Sequence, residues 1–142
     1  MAAPMTDAEW RAFVSRGTWT AKIATTRADG RPHVAPVWFL LDGGDLVFNT
    51  GKDSVKGRTL IRDGRLAICV DDDQAPFSFV VINGRAKVSE DTPQVRDWAT
   101  RIAARYVGED RAAEYGVRNG GPGSLLVRVS INRVLAVRGI SD

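Results

Sequence analysis

The chain is 142 residues long, 44% hydrophobic and 26% charged, with a net charge of +3. These values suit a single domain over residues 1–142 with its own apolar core, and they exclude a disordered or low-complexity chain. No apolar run approaches the roughly 18 residues that a membrane span needs.

The opening Met1-Ala2-Ala3-Pro4-Met5 lacks the apolar stretch of a secretion signal. The single cysteine, Cys69, lies in an apolar run and has no intrachain partner, which suits a core residue in a reducing cytoplasm. A cytoplasmic protein is therefore expected. Thr6 and Glu9 form a Thr-x-x-Glu capping box that opens a first helix, which Gly17 ends. Trp10, Phe13 and Val14 give that helix one apolar face.

Residues 19–26 read as a strand, and Arg27-Ala28-Asp29-Gly30 as a turn. The run 33–41 is too rich in Val, Trp, Phe and Leu for a loop and reads as one strand. Pro36 inside it cannot donate to a ladder, so this strand lies at an edge or carries a bulge. Asp42-Gly43-Gly44-Asp45 supplies turn chemistry, and Leu46-Val47-Phe48 completes an antiparallel hairpin. The chain leaves through Asn49-Thr50-Gly51, and from Ser54 the spacing turns helical.

A strand over 65–70 follows, then an acidic loop over 71–76 and a strand over 77–83. Gly84 marks a bulge or turn before a strand over 85–89. Thr92 caps the longest helix, with Pro93 at its first position and Val95, Trp98, Ala99, Ile102, Ala103 and Tyr106 on one face. Gly108 ends it. A short helix over 110–115, a glycine-rich loop over 119–123 and closing strands over 124–130 and 134–137 finish the chain. Six or seven short antiparallel strands with flanking helices predict a mainly β chain, built as a small barrel rather than a sandwich.

The chemistry concentrates between residues 49 and 65. Ser54 stands at a helix start, where free N–H groups and the helix dipole favour an anion. Lys52, Lys56, Arg58, Arg62 and Arg65 face only Asp53 and Asp63, a local excess of +3. A phosphate site fits this arrangement, and so does an ordinary N-cap beside a solvated cationic face. Three adjacent aspartates, Asp71, Asp72 and Asp73, lack the alternating ligands and distal Glu of a calcium loop, and no metal site is expected. One histidine, His33, excludes histidine-pair chemistry within one chain. No nucleophile elbow and no dinucleotide glycine fingerprint appears. The basic excess leaves nucleic acid as a partner, but exposed aromatics do not alternate with Lys and Arg as single-strand binding surfaces require.

The ordered pattern Arg31-Pro-His-Val-x-Pro-Val-Trp-Phe39, an acidic-glycine turn, Leu46-Val-Phe-Asn-Thr50, and Lys52-x-Ser-x-Lys-x-Arg-x-Leu60 resembles the pyridoxamine 5′-phosphate oxidase-like split β-barrel flavoproteins. It is most similar to their branch that uses the deazaflavin coenzyme F-420 in place of FMN. The resemblance runs over residues 18–88, with a weaker echo after Gly123. It implies a split barrel paired as a homodimer, with the cofactor at the interface.

It further implies that Asn49, Thr50, Lys52, Ser54, Lys56 and Arg58 hold the cofactor phosphate. His33, Ala35, Pro36, Val37 and Trp38 would line the ring, and Phe77 and Phe79 would close the pocket. By the same resemblance the activity is hydride transfer from reduced F-420 to a small planar unsaturated substrate. An FMN-dependent oxidoreductase and a non-catalytic flavin, deazaflavin or haem carrier are the alternatives. His33 and Trp38 also suit a surface residue and a core residue. The C-terminal Arg133-Val-Leu-Ala-Val-Arg138 lacks the histidine of the substrate-holding element in true pyridoxamine phosphate oxidases, which argues against vitamin B6 oxidation.

Overall fold

The computed structural model describes residues 1–142. It contains β1 (Ala3–Pro4), α1 (Asp7–Val14), β2 (Ala21–Thr26), β3 (Pro32–Val37), β4 (Phe39–Asp42) and β5 (Asp45–Gly51). There follow α2 (Val55–Arg62), β6 (Arg65–Asp71), β7 (Phe79–Ser89), α3 (Thr92–Val107), α4 (Glu109–Asn119) and β8 (Ser124–Arg138). The strands form one antiparallel sheet in the order β3-β2-β6-β7-β8-β5-β4, with β1 on the end of β8. It curls into a split barrel, as the sequence predicts.

The strands read over 77–83 and 85–89 are one strand, β7, which runs through Gly84, and the helix read over 110–115 extends from Glu109 to Asn119. Three further boundaries differ from the sequence reading, each for a physical reason. The run 33–41 is two strands. β3 pairs with β2 and β4 pairs with β5, so the halves lie at opposite ends of the strand order and part at Trp38. Residues 124–138 form a single strand, because the polar Asn132 is the extra residue of a bulge: Gly84 opposes Ile131 while Asn83 opposes Arg133. A side chain at Gly84 would collide with the Ser130 carbonyl, so the close approach at this bulge needs glycine. The longest helix is preceded by Asp91 rather than capped by Thr92, since Pro93 is tolerated anywhere in the first turn.

Two apolar clusters result. The larger fills the barrel with Ile23, Phe39, Phe48, Ile68, Val80, Ile82 and Leu125, and Trp10, Phe13 and Val14 of α1 close one end. The capping box forms as predicted: Glu9 N–H donates to Thr6 Oγ1 at 3.2 Å and Thr6 N–H to Glu9 Oε1 at 2.9 Å. The smaller cluster, Val47, Val95, Trp98, Ile102 and Leu126, seats α3 on the outside of β5 and β8, with Trp38, Leu40 and Tyr106 against it. No helix is long and apolar enough to cross a membrane.

Candidate functional site

Where β3 ends, β5 runs out and α2 begins, the backbone opens a cleft of about 340 Å³. One wall is Pro36, Val37 and Trp38 with Asn49, Thr50, Gly51 and Lys56. The other is Ala99 and Ile102 of α3 with Arg118 and Asn119 of α4, and Ser124 completes it.

Ser54 caps α2. Its Oγ accepts the Gly57 N–H at 3.0 Å and donates to the Gly51 carbonyl at 2.7 Å, so in the 3.1 Å contact the Thr50 hydroxyl is the donor. This leaves the first N–H groups of α2 without intrahelical partners beside Lys56. Gly57 makes the seating of α2 possible, because a Cβ there would collide with the Gly51 carbonyl and reach 3.0 Å from the Lys52 carbonyl. Lys56 forms none of the chain's ion pairs. Partial burial pushes its ammonium below the ordinary lysine value.

Trp38 is held rigidly. Its indole stacks on Tyr106 with centroids 5.0 Å apart and planes 4° from parallel, and Tyr115 lies tilted at 5.8 Å. The backbone of Phe39 is held at both its N–H and its carbonyl. Phe39 N–H donates to Tyr106 Oη at 3.2 Å, and Arg105 donates to the Phe39 carbonyl at 2.8 Å. Tyr106 in turn donates to the Trp19 carbonyl at 2.7 Å, and burial raises its phenol pKa, so it stays a neutral donor. Arg105 also reaches the carbonyls of Val14, Arg16 and Gly17 where α1 ends. The break between β3 and β4 is therefore fixed by two consecutive residues of α3.

Of the residues singled out in the sequence, the cleft brings together Pro36, Val37, Trp38, Asn49, Thr50 and Lys56. Ser54 lies beneath its rim as the helix cap. Lys52 turns away into an exposed 2.9 Å ion pair with Glu90. Arg58 lies on a different side of α2, in a cleft with Arg27 and Arg62. His33 and Ala35 sit on the inward face of β3, opposite Thr25 and Ile23, outside the cleft lining. Phe77 and Phe79 border another concavity with Lys22, Cys69 and Asp71 to Asp73. Sequence reasoning missed the whole helical wall. Its one available signal was small residues: Gly116 and Gly120 let α4 lie directly on Thr100 and Arg96 of α3.

The family model for pyridoxamine 5′-phosphate oxidase matches residues 6–138. The chain belongs to that family. No curated protein matches it. Among solved structures it is similar to a conserved hypothetical protein from Mycobacterium tuberculosis, at 25% identity and a TM-score of 0.80, covering 92% of this chain and 82% of that one. An F-420 reductase is similar at 20% identity and a TM-score of 0.68, over 86% and 93% of the two chains. A FAD-binding protein from Mesorhizobium loti is similar at 17% identity and a TM-score of 0.71, over 96% and 97%. This pyridoxamine 5′-phosphate oxidase-family chain thus shares its fold with flavin and deazaflavin proteins, and a flavin-type cofactor is in keeping with its cleft.

Proposed function

We propose that the chain is an oxidoreductase that takes a hydride from reduced F-420 and passes it to a small planar unsaturated substrate. FMN is the alternative cofactor. The observation that carries this reading is Lys56, a half-buried cation without an acid partner, set in the cleft beside the free N–H groups of α2. An unpaired cation in such surroundings fits a phosphate, because a charge-assisted hydrogen bond recovers what partial burial costs.

Bound deazaflavin would supply the hydride chemistry; the chain would supply position. Lys56 and the first turn of α2 would hold the phosphate. The backbone over 35–37 would meet the polar edge of the ring, and the clamped Trp38 would pack beside it. Likeness to an F-420 reductase and to a FAD-binding protein supports a ring-bearing cofactor of this kind.

Pairing of two copies belongs to the same reading. Lys22, Cys69, Val81 and Leu135 lie side by side with Pro36 across the outer face of the sheet, and Val34 and Leu135 are 65% and 56% exposed there. Pro36 lines the cleft as well, so a copy seated on this face would border the cofactor.

One observation favours a second reading, that of a carrier. The cleft lining contains no carboxylate, histidine, cysteine or tyrosine to give a proton. The two readings separate in one assay, in which reduced F-420 is followed with quinones, enones and nitroaromatics as acceptors. Oxidation of at least one faster with protein than without is the expected result. Tight binding without turnover of any acceptor would establish the carrier.

A further inference from the structure

Three buried side-chain polar atoms in the chain lack a hydrogen-bond partner: Thr25 Oγ1, Arg27 Nε and His33 Nδ1. They are neighbours. Thr25 and His33 are directly opposed across the β2–β3 ladder, and the Arg27 N–H extends that ladder to the Arg31 carbonyl at 2.9 Å. In a ladder of period two, residues 25, 27 and 33 share one face, the inward one. Buried polar groups in native proteins are almost always paired, so orphans gathered at one place call for a ligand or ordered water.

One of the three, Arg27, lines a cleft of about 310 Å³ together with Arg58, Arg62, Thr59 and Val55, and Thr25 and His33 lie next to it along the β2–β3 ladder. None of these three guanidinium groups forms an ion pair; the nearby Asp29 and Asp63 are taken by Arg31 and Arg65. Arg62 donates to the Thr26 carbonyl at 2.7 Å, which anchors one cation over the end of β2. On a helix of 100° per residue, Val55, Arg58, Thr59 and Arg62 fall on one stripe of α2, with Lys56 about a third of a turn from its centre. The stripe therefore faces a second site, separate from the cleft of Lys56.

We propose that this second cleft binds a phosphoryl group. Three convergent guanidinium groups over an uncharged floor, with no carboxylate among them, match a tetrahedral dianion better than a monovalent one. The Arg27 Nε–H is the inner donor, Arg58 and Arg62 close over the outer oxygens, and Thr25 and His33 hold the water or oxygen beneath. The site does not depend on the cofactor reading, since it shares no lining residue with the first cleft.

His33 is the only histidine in the chain, so its imidazole proton signal is unambiguous, and it lies one step along the ladder from Arg27. Inorganic phosphate is titrated at fixed pH into the full chain, with sodium chloride at matched ionic strength as control. The His33 resonance is expected to move saturably with phosphate and to stay still with chloride. Lys56→Ala leaves that titration unchanged, whereas Arg58→Ala and Arg62→Ala each weaken it about tenfold or more, the loss of one hydrogen bond to a charged group. Both arginines are exposed, so these variants fold even where Arg27→Gln does not. An unmoved His33 signal, a shift that survives Arg58→Ala and Arg62→Ala, or one that Lys56→Ala removes would each overturn the proposal.

Discussion

The two walls of the main cleft are built on different principles. The strand wall (Trp38, Asn49, Thr50, Lys56) carries the Lys56 cation, the N-terminus of α2 and the backbone polar groups. The helical wall contributes Ala99, Ile102, Arg118 and Asn119 to the lining, and its larger task is behind it, where Arg105 and Tyr106 clamp Phe39 and stack Trp38. The Ser54-capped helix start and Lys56 thus sit on one wall, Arg118 faces them from the other, and the rigidity comes from behind that second wall. A site placed on packed elements holds its geometry more closely than one placed on loops.

Breaking that division should give graded effects. The largest is expected for Gly57→Val, since a side chain there drives α2 off the β5 exit. We expect a loss of about 3 kcal/mol, read by thermal or urea unfolding, together with loss of cofactor binding. Next comes Lys56→Ala. It should weaken cofactor binding by about 1.5–3 kcal/mol, the range for a hydrogen bond to a charged group, while the unfolding curve is retained.

Tyr106→Phe should show the opposite signature. It leaves the Trp19 carbonyl and the Phe39 N–H without their partner and costs about 1–2 kcal/mol of stability, with a smaller effect on binding. An equal effect of Lys56→Ala and Tyr106→Phe on both quantities would dissolve the distinction between the walls.

The pH dependence sharpens it further. The Lys56 pKa is lowered in the folded chain by burial, so between its folded and unfolded values the unfolded chain binds more protons. In that alkaline window the ligand-free chain should gain stability as pH rises, while cofactor affinity falls with the lost charge. Paired unfolding and binding measurements in wild type and Lys56→Ala check the two opposite signs, and both should vanish in the variant. The smallest effect belongs to Lys52→Ala. Its ion pair with Glu90 is solvent-exposed, and neither stability nor binding should change measurably.

Much of the strand wall was legible in the sequence because local rules produce it. The turn at Gly43-Gly44, the Ser54 cap and the helical spacing after it depend on neighbours a few residues away. The helical wall depends on how α4 lies on α3, and that rests on two glycines whose meaning appears only once Thr100 and Arg96 stand opposite them. The division of the run 33–41 was hidden for a related reason. Apolar residues on both sides of Trp38 look like one strand until the sheet order sends the halves to different partners.

Arg58 illustrates the remaining difficulty. Two positions from Lys56 in sequence, it lies more than half a turn further round the helix and lines another cleft. Charge counting along the chain gathers these cations into one site, and helix geometry separates them.

The cofactor reading meets its most direct test in titrations of the purified full chain with F-420 and with FMN, followed by fluorescence quenching. The expected result is saturable binding of F-420 at micromolar concentration, tighter than FMN and weakened by Lys56→Ala but not by Lys52→Ala. Failure of both cofactors to bind at that concentration would contradict it.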